Sequence, residues 1–472
     1  MAPPHTAAHQ GTREQSGHPG RAPSGRRVAV VGGGVSGLSA ALRLETLGHE
    51  VELLEAADTL GGRFGVARLG DRPVMTGGKN IGRRYSAFRW FTKELGFDRY
   101  ESFGYNASRL KDGRVLTLDS ERRGRTLGNI RRMGSTRDVA RLAAMAARIT
   151  FDDTNRFLGS RHFSGVSARH DHAPLSSFFG PELTSMLIRP MVIRNNGAEP
   201  DEVYPGTFGT NLAMLLDHYD QLTDGVEPVL DAFAKRIPVR LGARVESVET
   251  TAGAVTGLRV SEDGGPARLV PYDGVVVATP AHAAAGILRS TLPALALRLA
   301  DVRYFPSTVV LVEYDRPMFG EDVRALAMDD GPCSNAGSYG MHDRHIVRYT
   351  YSGREGRLTD LSERAVDRLT ADTEERLRTH LGAPHAERVN VLVKHWDAAY
   401  SGYLPHHPQF LAEARRHLAG VAGLELAGDY VLGVAIENCA RSGRAAARRL
   451  ATHLEGAAAR PGGAASDARD PA

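Results

Sequence analysis

The sequence predicts a mixed α/β fold in which a Rossmann-like dinucleotide-binding domain is interleaved with an α+β domain. Its 472 residues are too many for one ordinary hydrophobic core. Near the N-terminus, a strand, a glycine motif, a helix and a second strand follow one another. From residue 98 to about residue 220, helix-like patterns appear without regular alternation of strands and helices. One nucleotide-binding unit and one unit of different construction are therefore expected.

The nucleotide-binding unit begins with the apolar strand Val28 to Val31, and a GxGxxG frame follows it directly. The frame consists of Gly32, Gly34 and Gly37. The first glycine allows a tight turn, the second lets backbone approach a pyrophosphate, and the third allows close packing of helix on strand. The helix then starts at Val35 and Ser36, so its free N–H groups are expected to bind the phosphates.

A second strand, Val51 to Leu54, ends in Glu55 and Ala56. The carboxylate lies about 20 residues beyond the glycines, where an acceptor for the adenosine ribose hydroxyls is expected. A short glycine turn with a fixed cation follows at Gly62 and Arg63. An NAD domain has no particular need of this cation, whereas FAD offers pyrophosphate and ribityl oxygens to it. The pattern therefore favours FAD as the cofactor.

The run from Gly32 through Glu55 to Arg63 resembles the N-terminal FAD signature of the flavin amine oxidase, protoporphyrinogen oxidase and phytoene desaturase superfamily. The resemblance implies a GR2-type FAD-binding domain. It extends to the segment VMTGGKNIGRRYSAFRWFTKELG, in which a glycine pair passes beside the flavin ring before a helix. The implied flavin neighbours are Gly77, Gly78, Lys79, Asn80 and Ile81.

Three later segments also resemble the superfamily. VRLGARVESVET implies that the backbone of Val245 lies against the adenine, and DGVVVATP brings Ala278 under the cofactor. LELAGDYVLGVAIENCARSG is similar to the C-terminal FAD motif, which implies roles for Gly428, Asp429, Ala435 and Ile436. A helix starting near Ile436 would stabilise negative charge on the reduced flavin.

The resemblance divides the chain into discontinuous domains. The FAD-binding domain is predicted at residues 27–85, 225–285 and 396–455, and the substrate-binding domain at 86–224 and 286–395. Residues 1–25 and 456–472 are predicted to be a disordered arm and tail, because their composition cannot build a core.

The predicted activity is dehydrogenation of a small molecule by hydride transfer to flavin N5. The resemblance favours a C–N bond of an amine or of an amino-acid-derived natural-product intermediate, with O2 as acceptor. Trp396 and Tyr400 are candidate catalytic residues, since the matching amine-oxidase segment supplies an aromatic wall; the alternative is that both are core aromatics. His395 is a candidate base, although a lone histidine is usually structural.

Two alternatives stay open. Monoamine and polyamine oxidases place a lysine near flavin N5, and alignment on the following residues puts Val309 there. This difference favours a desaturase or protoporphyrinogen-oxidase-like enzyme that forms C=C bonds, whereas KELG and HWDAAYSGY favour an amine oxidase. The second alternative is a non-redox flavoprotein.

Composition limits the partners. A net charge of +4 is small for this length and gives no reason to expect a nucleic-acid partner. Cys333 and Cys439 have no metal-ligand spacing, and no metal cluster is expected. No apolar run reaches the roughly 18 residues of a membrane span. A cytoplasmic enzyme is expected, and a homodimer is left open as its assembly.

Overall fold

The structure, a computed structural model, describes residues 25–104, 106–329 and 331–458. Almost all of the predicted arm and tail therefore lies outside the described residues. The strands are β1 (Arg27–Val31), β2 (Glu50–Leu54), β3 (Val66–Leu69), β4 (Arg72–Met75), β5 (Ile81–Gly82), β6 (Tyr100–Ser102), β7 (Asn106–Lys111), β8 (Arg114–Asp119), β9 (Tyr219–Leu222), β10 (Val239–Arg240), β11 (Ala243–Thr251), β12 (Ala254–Glu262), β13 (Arg268–Pro271), β14 (Gly274–Val277), β15 (Tyr304–Tyr314), β16 (Ala325–Ala327), β17 (Cys333–Ser338), β18 (Ile346–Tyr351), β19 (Arg388–Ser401) and β20 (Leu424–Leu426).

Helices connect and cover these strands. They are α1 (Val35–Thr46), α2 (Ser86–Glu94), α3 (Arg123–Arg131), α4 (Thr136–Phe151), α5 (Arg161–His170), α6 (Pro181–Leu183), α7 (Arg189–Asn196), α8 (Phe208–Leu215), α9 (Glu227–Arg236), α10 (Ala281–Leu288), α11 (Pro293–Ala300), α12 (Glu363–Leu381), α13 (His407–Leu418), α14 (Asp429–Leu432) and α15 (Ile436–Ala458). A π-helical turn, Thr184–Ile188, leads into α7.

A five-stranded parallel sheet lies at the centre of the nucleotide-binding unit, in the order β10-β2-β1-β14-β20. Its middle strands are runs of buried valine and alanine, as expected for a sheet covered on both faces. Helices α1 and α15 pack side by side, so closely that a Cβ on Gly443 would meet the Ser36 carbonyl oxygen at 2.0 Å. The sheet thus joins the first and last segments of the described chain. The predicted mixed α/β fold is confirmed.

The second large sheet has seven strands in the order β19-β15-β18-β17-β16-β7-β8. Its pairings are antiparallel except for β16 with β7. Strand β19 spans the boundary that the sequence predicts after residue 395. The division into domains stays a prediction.

An apolar cluster holds the helices between residues 136 and 215 together. It includes Leu142, Met145 and Ile149, whose spacing of three and four residues places them on one face of α4. The π-helical turn, α7 and strands of the seven-stranded sheet together line a cavity. None of the helices in the described ranges combines the length and apolar composition needed to cross a bilayer.

Candidate active site

One cavity of about 390 Å³ opens between the carboxyl ends of the parallel strands and the seven-stranded sheet. In α/β proteins, ligands bind at this edge of a parallel sheet. Fifteen of the predicted site residues line it: Gly34, Val35, Ser36, Arg63, Gly77, Gly78, Lys79, Asn80, Ala278, Trp396, Tyr400, Gly428, Asp429, Ala435 and Ile436. The fold therefore brings together residues that are up to about 400 positions apart in the chain.

The glycine frame acts partly through the backbone behind the cavity. Gly32 has φ +106°, and a Cβ on Gly37 would meet the Gly32 carbonyl oxygen at 1.8 Å. A Cβ on Gly34, by contrast, would meet nothing within 4 Å. Open space is thus left where helix α1 begins, and Gly61 forms a β-bridge with Gly34 on its other side. This cradle has the shape and the helix N-terminus that a pyrophosphate requires.

Glu55 lies behind the same loop rather than in the wall of the cavity. Its Oε2 accepts a hydrogen bond from the Gly33 N–H at 2.5 Å, and its Oε1 accepts one from the Ala57 N–H at 2.8 Å. The carboxylate therefore fixes the glycine loop and the chain after β2. Ala56 and Gly62 are next to these groups in sequence and also lie outside the cavity lining.

Three further predicted residues lie away from the cavity lining. Ile81 is buried in β5, which pairs with β9, and Val245 is buried in β11. His395 lies on β19, where its Nδ1 is 2.8 Å from Thr308 Oγ1 and its Nε2 is 3.3 Å from Asp397. Neighbouring residues of a strand face opposite sides, so His395 points away when Trp396 lines the cavity. The predicted catalytic role of His395 finds no support in this geometry.

A partly buried polar network joins the two FAD motifs. Arg63 donates from Nη1 to Asp429 Oδ2 at 2.6 Å and to the Ala399 carbonyl oxygen at 3.1 Å. Burial alone would lower the pKa of Arg63, but Asp429 outweighs it and the pKa is raised. Tyr304 donates to Asp429 Oδ1 at 2.7 Å, and burial raises the pKa of this phenol. Tyr304 was not predicted, because a tyrosine in a β-strand carries no local functional signal.

The loop after β4 is held close to Arg63. A Cβ on Gly77 would meet the Arg63 carbonyl oxygen at 1.7 Å, and the Gly77 carbonyl accepts a hydrogen bond from Arg348 Nη1 at 2.6 Å. A Cβ on Gly78 would meet the side chain of Ile436 at 3.4 Å. Glycine is therefore required at position 77, where two backbone segments converge, whereas a Cβ at position 78 would make an ordinary van der Waals contact.

Cations occupy the part of the cavity beside this loop. The Lys79 Nζ lies 4.0 Å from the ring centroid of Tyr339 and 4.5 Å from that of Phe103, and it donates to Gln221 Oε1 at 3.3 Å. Burial, reinforced by the charge of Arg348, lowers the pKa of Lys79 to about 7. Sequence reasoning named Lys79 as a flavin neighbour but did not anticipate its charged surroundings.

Aromatic and apolar groups form the other walls. Trp396 is paired with Ser307 across β15 and β19, and its indole Nε1 is buried without a hydrogen-bond partner among the described residues. Tyr400 lies close to Gly197, whose Cβ would meet the ring at 2.7 Å. The lining also contains flexible apolar side chains, Met186, Leu187, Met191, Met214 and Leu215. Val309 also lines the cavity.

Known proteins resemble this chain in sequence. The chain matches the family model described as flavin-containing amine oxidoreductase over residues 35–451. A flavin-dependent L-tryptophan oxidase of Lentzea aerocolonigenes is 54% identical over 46 residues, which is 10% of each chain. An L-amino-acid oxidase of Siganus canaliculatus is 22% identical over 62% of this chain and 58% of its own length. The matches thus span less than two thirds of these curated relatives.

Solved structures share the fold. Cyclohexylamine oxidase from Brevibacterium oxydans IH-35A aligns with a TM-score of 0.70 and 19% identity, covering 91% of this chain and 100% of that one. The overall fold of the described chain is therefore one that this solved structure also adopts.

Proposed function

Because the chain belongs to the family of flavin-containing amine oxidoreductases, we propose that it oxidises a C–N bond of an amine or amino-acid-derived small molecule and passes the electrons to O2. Family membership makes the chain a flavin-dependent oxidase with FAD as its cofactor. The observation that carries the more specific proposal is the cavity in which the glycine cradle meets an aromatic and apolar chamber.

The residues present fit FAD. The open space at Gly34 and the N-terminus of α1 would hold the pyrophosphate, and Arg63 would supply a cation to it. Asp429 can accept hydrogen bonds from the ribityl hydroxyls, while the Thr279 Oγ1 and Asn80 Oδ1 are buried without partners among the described residues. When bound, FAD supplies the chemistry itself, by accepting a hydride at N5 and returning its electrons to O2 as hydrogen peroxide.

The chain's own contribution is to position the substrate and exclude water. Trp396 can donate its unpartnered Nε1–H to a substrate acceptor, and Tyr400 limits the space beside it. The methionine and leucine wall adapts to an apolar substrate body and removes it from water. These groups would hold the reacting C–H in a dry chamber next to the cofactor cradle.

The test starts with the absorbance spectrum of the purified protein. We expect flavin bands near about 375 and 450 nm that bleach when an amine or amino acid is added without oxygen. The product should have lost two hydrogens at a C–N bond, and readmission of O2 should yield hydrogen peroxide. A protein that stays colourless after reconstitution with FAD would refute the proposal.

Formation of a C=C bond is the second candidate, favoured by Val309 in the cavity where the resemblance to monoamine and polyamine oxidases would require a lysine. A porphyrinogen included in the same anaerobic panel separates the two candidates. If the porphyrinogen bleaches the flavin and its product contains a new C=C bond, the second candidate is favoured. Bleaching by either class excludes a non-redox flavoprotein.

A further inference from the structure

We propose that Tyr403, assisted by His407, is a positioning residue: it holds the backbone just before helix α15, keeps the N-terminus of that helix against the bound flavin, and so raises the flavin's reduction potential. The inference rests on the proposed function in one respect, namely that the flavin ring lies in the cavity beside the start of α15. It adds two residues outside the cavity lining that affect how readily the cofactor accepts electrons.

The connecting segment, residues 428–435, leads from β20 to α15 and includes the short helix α14. Its residues Val434 and Ala435 line the cavity, as does Ile436 where α15 begins. The first N–H groups of a helix have no acceptor within the helix and carry a partial positive charge. The course of the connecting segment therefore decides where this charge lies relative to a ligand in the cavity.

Glycines give the connecting segment conformational freedom near both of its ends. Gly428 has φ +156° and Gly433 has φ +126°. Glycine has more accessible backbone conformations than other residues, so these positions do not by themselves fix the direction of the chain. Contacts from outside the segment must therefore hold it in place.

Tyr403 supplies one such contact. Its Oη accepts a hydrogen bond from the Val434 N–H at 2.8 Å, two residues before α15 begins, and the residue is only 2% exposed. Burial, reinforced by the charge of Asp429, raises the pKa of the phenol well above its ordinary value. The phenol therefore stays neutral, and removing its oxygen would release the Val434 N–H.

The backbone of Tyr403 is itself in a rare conformation. Its φ is +45°, and His406 in the same turn has φ +52°. The other non-glycine residues with positive φ in the described ranges lie in turns between paired strands: Asp112, Ala252 and Asp263. Bulky side chains seldom adopt this conformation, and such strain persists where the surrounding structure imposes it, often at functional sites. The strained turn places the Tyr403 ring against the connecting segment.

His407 fastens the same segment at a second point. The residue is fully buried, and its Nε2 donates a hydrogen bond to the Tyr430 carbonyl oxygen at 2.8 Å. Its Nδ1 accepts one from the Leu404 N–H at 3.2 Å, which fixes the tautomer with the proton on Nε2. The His407 and Tyr403 ring centroids are 5.3 Å apart. One turn of the chain thus holds both α14 and the start of α15.

The effect on the cofactor follows from charge. A helix N-terminus stabilises a nearby negative charge, and reduction adds electrons to the flavin. An N-terminus held against the ring therefore stabilises the reduced form more than the oxidised form. If the start of α15 shifts away, the reduced form loses more stabilisation, so the reduction potential should fall.

The experiment measures the midpoint potential of the purified holoenzyme, reduced anaerobically with dithionite in the presence of a reference dye. Tyr403→Phe removes only the hydroxyl group. We expect the affinity for reduced FAD to fall about two- to fivefold more than that for oxidised FAD, which lowers the potential by about 9 to 21 mV.

The matched control is Tyr314→Phe. It removes a buried hydroxyl that lies 2.7 Å from the Tyr349 hydroxyl, away from the cavity lining, and should leave the potential unchanged. An unchanged or raised potential in Tyr403→Phe would overturn the inference. An equal fall in Tyr314→Phe would also overturn it, because general loosening of the fold would then be the cause.

A second pair of variants decides the question if Tyr403→Phe does not retain FAD. His407→Leu removes the donor to the Tyr430 carbonyl, whereas the amide of His407→Gln can still donate to it. His407→Leu should lower the potential and His407→Gln should restore most of it; equal potentials would contradict the inference. The measurement needs neither amine nor O2, so an enzyme with the expected potentials that oxidises no amine refutes only the proposed function.

Discussion

Lys79 shows how a single residue can be named correctly while its chemistry is missed. The sequence places it beside a glycine pair and predicts a backbone contact with the flavin. The structure adds two rings and a neighbouring guanidinium, Arg348, which come from distant segments. The local sequence predicts the loop but not the groups that pack against it. No pattern in the sequence therefore indicates that the pKa of Lys79 is lowered.

The first prediction concerns pH. As the pH rises through about 7, Lys79 loses its proton, the cavity loses a positive charge, and the affinity of the cavity for a simple carboxylate such as benzoate should fall. Below about pH 6 Lys79 stays protonated, so it should cause no further change in the affinity. Titrations of holoenzyme between about pH 5.5 and 8.5 test this, and Lys79→Met should remove the slope. The other charges that act on Lys79 are those of Arg348, Asp343, Glu101 and Arg194.

The lowered pKa of Lys79 also determines how the free energy of unfolding changes with pH. An exposed lysine has a pKa of about 10.4, so the unfolded chain binds more protons than the folded chain between about pH 7 and pH 10. The contribution of Lys79 to the free energy of unfolding should therefore rise with pH in this window. Chemical denaturation of the wild type and Lys79→Met at several pH values measures it.

A second prediction concerns Glu55. Glu55→Ala removes the acceptor that fixes the Gly33 N–H, so FAD should bind about tenfold more weakly, which corresponds to about 1.4 kcal/mol. The ratio of flavin to protein absorbance after dialysis measures retention. Glu50→Ala, at the exposed start of the same strand, is the matched control. A variant that remains fully yellow would count against any role of Glu55 in the site.

Trp396 gives a third prediction. Trp396→Ala should lower kcat/KM by about 10- to 100-fold and leave the FAD content unchanged, because the side chain lines the part of the cavity that we propose to hold the substrate. Trp396→Phe separates the role of the Nε1–H from that of the ring. Trp90→Ala, the other tryptophan, stacks on Arg43 and Arg444 away from the cavity and serves as control. Loss of FAD without loss of turnover per flavin would make Trp396 structural.

At the scale of secondary-structure elements, the start of helix α2 is held by a residue of α15, the helix of the C-terminal FAD motif. Serine is a residue type that favours the N-cap position, but the structure makes Ser86 the first helical residue of α2. The cap is instead the buried carboxylate of Glu437 on α15, which accepts hydrogen bonds from the Ala87 and Phe88 N–H groups at 3.0 and 3.1 Å. Tertiary contact thus replaces the local cap that the sequence pattern favours.

The fourth prediction tests this contact. Glu437→Gln turns an amide NH2 group toward backbone donors and should lower the free energy of unfolding by about 1 to 3 kcal/mol. Glu375→Gln, in an exposed pair with Arg378 on α12, should change it by less than about 1 kcal/mol. Urea denaturation of both variants with FAD bound provides the comparison. Equal effects would show that the α2 cap contributes little.

At the scale of the molecule, the cofactor site and the substrate site differ in how far sequence could predict them. The glycine frame, Arg63 and Asp429 lie in short contiguous motifs, each tied to a strand end, and the fold brings them to one crevice. The lining residues Lys79, Arg194 and Arg348 come from a loop, a helix and a strand, with no common spacing. They line the same cavity only because the seven-stranded sheet packs near α7, which no local pattern encodes.

The fifth prediction concerns the assembly of the crevice. FAD should bind the folded chain far more tightly than the unfolded one, so its removal should lower the melting temperature and its return should restore it. At a free FAD concentration about 100 times Kd, the gain should be about 2.7 kcal/mol. Calorimetry at several FAD concentrations measures this dependence. A melting temperature independent of FAD would contradict the proposed cradle.

The parallel sheet places β1 beside β14 and β14 beside β20, and α15 rests on α1. The crevice is therefore complete only when the last segment of the described chain has been added to the first. A ribosome adds about 5 to 20 residues per second, so roughly 20 to 80 s separate the synthesis of β1 from that of β20. During that interval the nascent chain exposes a half-built sheet, and capture of the cofactor becomes one of the last events in the biosynthesis of the enzyme.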